Sequence, residues 1–142
     1  MCVDQNPRSG CGYTTIGAAL AAAASGDTIN IAPGRYAEDA HITLPVSLIG
    51  AGAQSTMINA KGLANGIFID GINGASTITP GSNTLTGVTV AGFSVLNANF
   101  EGILVLNASN VTLWEQPRRR QRPLAQQRRL PRYSRFRDER RG

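Results

Sequence analysis

Carboxylates are the side chains of this 142-residue chain best suited to chemistry. When they converge they act as general acids and bases or as calcium ligands, and glycoside hydrolysis needs two of them at a defined separation. Among the carboxylates of residues 1–113, only Glu38 and Asp39 are neighbours, and in a strand they would point to opposite faces. We therefore assign structural roles, with Asp27 in a helix-to-strand turn and Asp70 in a corner turn, and predict no catalytic, cofactor-binding or metal-binding residue. The acidic residues considered are Asp27, Glu38, Asp39, Asp70 and Glu101.

His41 and two cysteines complete the set of reactive side chains. His41 is the only histidine, so we expect a surface or partly buried residue rather than a ligand. Cys2 and Cys11 precede the first regular element and form either one disulfide, which would imply an oxidising compartment, or two separate thiols. With one histidine in the chain, these two cysteines cannot complete a structural zinc site.

Charge divides the chain into an acidic body and a basic tail. Residues 1–113 carry three basic and six acidic side chains, a net charge of −3, whereas residues 114–142 carry eleven arginines and three acidic side chains, a net charge of +8. The tail is also poor in apolar residues, which is typical of disorder. We therefore divide the chain into an N-terminal segment (1–12), a folded body (13–113) and a disordered Arg-rich tail (114–142). No apolar run reaches the length of a transmembrane helix, and no signal-peptide pattern opens the chain.

The elements of the body follow from hydrophobic periodicity. Residues 14–24 predict one short helix, because apolar residues recur at i, i+3, i+4 and i+7 from Ile16. Thr14 or Thr15 can cap its start and Gly26 suits its end. From residue 28 onward, apolar and polar residues alternate in short segments, which is the period of β-strands.

Weak internal repeats indicate how these strands are arranged. Residues 66–70 resemble residues 102–106, and residues 88–90 resemble residues 111–113. The linkers are too short for βαβ crossovers, and hairpin signals are too few for an antiparallel sandwich. A repeat of about 20 to 25 residues predicts an all-β solenoid, with apolar residues inside and asparagines stacked at the corners. Residues 71–83 interrupt the repeat as an insertion suited to a binding loop.

Three motifs, in this order, resemble the opening of right-handed parallel β-helix (pectin lyase-like) proteins. They are Tyr13-Thr-Thr-Ile-Gly-Ala-Ala-Leu, Ser25-Gly-Asp-Thr-Ile-Asn-Ile-Ala-Pro-Gly-Arg-Tyr-Ala-Glu and Leu48-Ile-Gly-Ala-Gly. The resemblance spans roughly residues 11–113 and implies an N-terminal helix that caps the coil, a few coils of β-helix and a packing role for Tyr36. It also implies a protein of the extracellular space or cell envelope that binds or processes polysaccharides.

The central aspartate motifs of pectate lyases, polygalacturonases and pectin methylesterases do not occur in this chain. We therefore expect a truncated β-helix domain without catalysis of its own, and keep a pectin lyase-like or pectinesterase-like carbohydrate-active enzyme as the alternative. A β-helix that ends in mid-coil leaves unpaired strand groups, so we also expect self-association through the last coil.

The basic tail has two interpretations. Arginines interleaved with Tyr133 and Phe136 would suit an anion-binding or nucleic-acid-binding arm. Eleven arginines without a lysine are also what GC-rich DNA yields when it is read out of frame, and we favour this interpretation. It predicts that the coding DNA, shifted by one base near codon 114, opens a long frame of further coils, and an early stop codon there would refute it.

Overall fold

The structure, a computed structural model, describes residues 1–72 and 85–114. These residues form one short helix, α1 (Ile16–Ala22), and many short strands. The strands, in chain order, are β1 (Cys2–Val3), β2 (Thr28–Ile31), β3 (Gly34–Tyr36), β4 (Ala40–Ile42), β5 (Ser47–Gly50), β6 (Thr56–Asn59), β7 (Asn65–Asp70), β8 (Leu85–Thr86), β9 (Thr89–Ala91), β10 (Ser94–Leu96), β11 (Glu101–Leu106), β12 (Ala108–Ser109) and β13 (Thr112–Trp114).

These strands wind into a parallel β-helix, which confirms the fold predicted from the sequence. The first coil contains β2, β3 and β4, the second β5, β6 and β7, the third β9, β10 and β11, and β13 begins a fourth. Strands at the same position in successive coils pair in parallel, so the walls are sheet A (β1-β2-β5-β9-β13), sheet B (β3-β6-β10) and sheet C (β4-β7-β11). A short pair, β8-β12, forms a fourth strip. Each coil therefore packs only against its neighbours along the axis.

The core is a set of apolar columns that run through the coils. Every second residue of a strand points inward, and parallel pairing in register places inward residues of successive coils above one another. Most of the paired inward residues are aliphatic; the exceptions are in sheet B, where the column begins with the ring of Tyr36 and the buried Thr56 lies two residues before Ile58. They are Ile29, Leu48, Val90 and Leu113 in sheet A, Tyr36, Ile58 and Val95 in sheet B, and Ala40, Ile42, Ile67, Ile69, Ile103 and Val105 in sheet C.

The amide groups at the start of α1 are satisfied from two directions. Thr15 is the N-cap, and its hydroxyl accepts a hydrogen bond from the Ala18 amide at 3.1 Å. Glu38, from the first coil, accepts hydrogen bonds from the amides of Ile16 at 2.8 Å and Gly17 at 2.9 Å. The helix is thus fastened to the β-helix by its first turn, as expected for a capping helix.

The helix is shorter than the predicted range 14–24. Ala23 is extended, with ψ of 153°, and ends the helix before Gly26 is reached. The Ala24 amide donates to the Asp27 carboxylate at 2.9 Å instead of continuing the helical pattern. Asp27 therefore lies in the helix-to-strand turn as predicted, and its carboxylate accepts a hydrogen bond from an amide just after the end of the helix.

The coil length is less regular than the predicted repeat. The successive register partners in sheet A are Ile29, Leu48, Val90 and Leu113, and the step from Leu48 to Val90 is as long as the other two steps together. This long step contains the insertion predicted at residues 71–83, of which all but the first two residues lie outside the described part of the chain. The repeat holds in spite of it, because β9 still pairs with β5 in register.

One corner of the β-helix brings two glycines into backbone contact. Gly50, at the end of β5, faces Gly92, just after β9 on the next coil. A Cβ atom on either residue would overlap the backbone of the other, and Gly92 has a positive φ of 78°. Glycine at both positions lets the two coils approach here.

The inward side chains at the end of the β-helix are more exposed than those of the first two coils. Ile103 and Val105 of β11 and Leu113 of β13 are each more than one third exposed, although their register partners on the preceding coil are buried. Ile103 and Leu113 line a cavity of about 170 Å³ together with Phe93 and Trp114. The apolar column of the coil is therefore accessible at this end.

Candidate functional site

The acidic residues do not converge. Among residues 1–72 and 85–114, no three histidine, cysteine, aspartate or glutamate side chains lie close enough to hold a metal ion. Asp27 and Glu38 cap backbone amides, and Glu101 is exposed at the start of β11. Glu38 and Asp39 do not lie on opposite faces of one strand, as the sequence suggested, because they occupy the corner between β3 and β4. That corner turns Glu38 toward α1.

His41 has two side-chain neighbours that the sequence did not indicate. Its Nε2 lies 2.8 Å from Oδ2 of Asp70, and its ring stacks on Phe68 with ring centroids 5.0 Å apart and planes 7° apart. The parallel register pairs His41 of β4 with Phe68 of β7, so all three side chains lie on the outer face of sheet C. The side chain of His41 is 51% exposed, whereas that of Asp70 is 8% exposed. We call these three residues the His41 cluster.

The His41 cluster is suited to holding an imidazole in one orientation. A carboxylate only accepts hydrogen bonds, so Nε2 of a neutral His41 carries the proton and Nδ1 is left as an acceptor. Asp70 is itself held by the Ile72 amide, which donates to Oδ1 at 2.9 Å. Such an imidazole is a potential proton acceptor, but no nucleophile lies beside it among the contacts of the described residues. The sequence carries no local signal for the cluster, because only the register of β4 on β7 brings its members together.

A column of hydroxyl groups runs along the outer face of sheet A. Thr28 pairs with Ser47, Ser47 with Thr89 and Thr89 with Thr112, one residue from each of four successive coils. Each alternates with a residue of the inward column, so the four side chains point outward. Within the described part of the chain, none of these hydroxyls makes a hydrogen bond with another residue. We call this set the hydroxyl column; it could not be found in the sequence, because only the register aligns its members.

Cys2 and Cys11 are bonded to each other in the structure. The bond closes the loop that follows β1, and Val3 of β1 is fully buried against the first coil. Residues near it include Asn30 and Ile49 of sheet A, which line a shallow groove of about 330 Å³ together with both cysteines. The disulfide therefore borders the same outer face as the hydroxyl column.

Tyr36 has the packing role that the sequence implied. It is 1% exposed, and its hydroxyl donates to the Ala32 carbonyl at 2.8 Å. Burial raises the pKa of Tyr36, with smaller contributions from the nearby charges of Asp4 and Glu38. The ring is a structural element of the first coil.

The comparison with known families agrees with this architecture. Residues 4–115 match the family described as "Protein of unknown function (DUF1565)". This chain belongs to the DUF1565 family. DUF1565 is a family of parallel β-helix type, and its match covers every described strand except β1. No curated protein and no solved structure matches the chain significantly.

Within residues 1–72 and 85–114, no helix is long and apolar enough to cross a lipid bilayer. The Arg-rich segment from residue 115 onward lies outside the described residues, and β13 extends through Trp114, where the predicted tail begins.

Proposed function

We propose that this DUF1565 protein is a non-catalytic, pectin lyase-like domain that binds polysaccharide on the outside of its β-helix. The observation that carries the proposal is the hydroxyl column, in which hydroxyls from four coils form a row without partners among the described residues. Successive parallel strands are about 4.8 Å apart, so the column offers one hydrogen-bonding group at each regular step. A polymer of sugars offers hydroxyls at regular steps as well, which makes the two surfaces complementary.

The cellular location follows the same proposal. A disulfide such as Cys2–Cys11 persists in oxidising compartments. Polysaccharides of cell walls and matrices are found there too, so we propose the extracellular space or cell envelope. A thiol titration of protein purified without reductant tests this, since two free thiols would contradict it.

The binding proposal is tested by affinity electrophoresis in gels that contain a soluble polysaccharide, either a neutral glucan or polygalacturonate. We expect the wild-type protein to be retarded in at least one gel. The double variant Ser47→Ala/Thr89→Val should be retarded clearly less in that gel. Valine keeps the branched shape and strand propensity of threonine, so the fold is preserved. Thr86→Val, on β8 outside sheet A, is the matched control. Unretarded migration of the folded protein in every gel would refute the proposal.

A carbohydrate-active enzyme is the second candidate, and the His41 cluster is the observation in its favour. Its oriented imidazole could accept a proton from a substrate. The test is turnover of polygalacturonate and of its methyl ester, with and without calcium. Turnover that disappears in His41→Gln would establish the enzyme and overturn the non-catalytic proposal, whereas the proposal expects no turnover in either protein.

Anion binding through the tail is a third candidate, supported by the eleven arginines of residues 114–142. Arginine contacts to phosphates release counterions, so affinity for DNA would fall steeply as salt increases. We regard nucleic acid as the less favoured partner, because eleven arginines without a lysine are what GC-rich DNA yields when it is read out of frame. DNA binding that does not change with salt would exclude this mechanism.

A further inference from the structure

We infer that the cavity at the C-terminal end of the β-helix is a binding site for a small uncharged molecule of one ring, such as toluene. This inference goes beyond the proposed function, because the cavity is lined by inward residues and by no member of the hydroxyl column. It is carried by the size of the inward side chains, by the shape of the cavity and by the chemistry of its lining.

The third coil has smaller inward side chains than the second. In sheet A, Val90 occupies the register position that Leu48 has on the preceding coil, and in sheet B, Val95 occupies the position of Ile58. At each position the third coil has one methylene group less. Protein interiors are close-packed, so missing methylene groups leave empty space unless a neighbour fills it. Val90 and Val95 both line the cavity, which shows that the space is left open here.

The cavity has a buried floor and an exposed rim. Four residues that are at most 8% exposed form the floor. They are Ile67, Val90, Ala91 and Phe93. The rim consists of Ile103, Leu113 and Trp114, each more than one third exposed. Within the described residues, a ligand can therefore enter from the end of the β-helix and be enclosed at the floor.

The lining selects apolar ligands. Among the side chains that line the cavity, only the indole of Trp114 has a polar atom, and none is charged. A buried water molecule needs about two to four polar partners, whereas an apolar cavity of about 150 Å³ stays dry and accepts a ring such as benzene. The volume here is about 170 Å³. The cavity therefore fits one ring, and a charged substituent is disfavoured because nothing in the lining would compensate its lost hydration.

Trp114 provides the measurement, because it lines the cavity and is the only tryptophan of the chain. The full-length protein is titrated with toluene and with benzoate, which carries a carboxylate in place of the methyl group. We expect toluene to shift the emission of Trp114 to shorter wavelength with a Kd of about 1 mM, because a single ring offers few atoms for contact. Toluene should also raise the urea midpoint. Benzoate should change neither quantity.

Filling the cavity tests its location. The double variant Val90→Leu/Val95→Ile gives the third coil the inward residues that the second coil has at the same register positions. It should raise the Kd of toluene about tenfold and raise the urea midpoint without ligand, because the added methylene groups occupy the empty space. Each single variant should show a smaller change in the same direction, so the test does not depend on the double variant. Val111→Ile adds a methylene group at a partly buried position outside the cavity and should leave the Kd unchanged.

The inference is wrong if toluene does not bind to the folded protein, if benzoate binds as tightly as toluene, or if the filled variants bind toluene like wild type. Toluene would also fail to bind if a second copy of the chain or the segment from residue 115 onward already occupied the cavity, and that result equally excludes a ligand site. The variant Ser47→Ala/Thr89→Val should bind toluene normally, because neither residue lines the cavity. Failure of this inference therefore leaves the proposal of polysaccharide binding unaffected.

Discussion

Replacing Glu38 by alanine should weaken the attachment of α1 to the first coil. The Glu38 carboxylate accepts from the amides of Ile16 at 2.8 Å and Gly17 at 2.9 Å, which are two of the four donors that a helix leaves unsatisfied at its start. Hydrogen bonds to a charged acceptor contribute about 1.5 to 3 kcal/mol each when buried. Because this pair is partly exposed, we expect Glu38→Ala to lower the free energy of unfolding by about 2 kcal/mol in total. Glu38→Gln keeps one acceptor oxygen and should lose about half as much.

The assay is urea unfolding followed by far-ultraviolet circular dichroism, combined with amide hydrogen exchange at Ile16 and Gly17. Exchange at these two amides should accelerate in Glu38→Ala while amides of sheet A keep their protection, because a solenoid can open at one end. Asp39→Ala is the matched control, since Asp39 is an exposed neighbouring carboxylate without a hydrogen bond among the described contacts. Equal stability and exchange for Glu38→Ala and Asp39→Ala would refute the reasoning.

Three further predictions concern the disulfide, the buried tyrosine and the exposed coil. Converting both Cys2 and Cys11 to serine should lower the free energy of unfolding by about 2.5 kcal/mol, the loop-closure value for their separation, and a urea midpoint equal to wild type would contradict this. Because burial raises the pKa of Tyr36, the contribution of Tyr36 to the free energy of unfolding should be constant below about pH 10 and decrease above it. This decrease should be absent in Tyr36→Phe when urea midpoints are measured on both sides of that pH. Replacing both Ile103 and Val105 by threonine should reduce self-association through the last coil in sedimentation velocity, whereas a wild-type protein that stays monomeric at high concentration would exclude such association.

The strands and the core could be predicted from the sequence because they depend on short-range alternation. Ile29 and Ile31 alternate with polar residues, and both are buried in β2. The match between residues 88–90 and 111–113 likewise marks true register partners, since Val90 pairs with Leu113. In a parallel β-helix the alternation of apolar and polar residues within a strand determines which of its side chains point inward. The strands then stack because the same alternation recurs in successive coils.

The contacts between different coils could not be predicted in this way. Glu38 is remote in sequence from Ile16, and His41 is remote from Asp70, so neither pair is adjacent in any local pattern. Whether these residues come into contact depends on the lengths of the corners between the strands. Corner length depends on the backbone conformation of the turns, which the hydrophobic period does not indicate. The hydroxyl column could not be predicted for the same reason, as its members are ordinary surface residues until the register is known.

The contact between Gly50 and Gly92 has a consequence for how this protein can evolve. Each glycine is required by the backbone of the other, so a side chain introduced at either position is unfavourable whatever occupies its partner. The two sites therefore share one requirement for glycine although they are distant in sequence. Changes in coil length should accordingly be excluded from this corner and accumulate at the other corners.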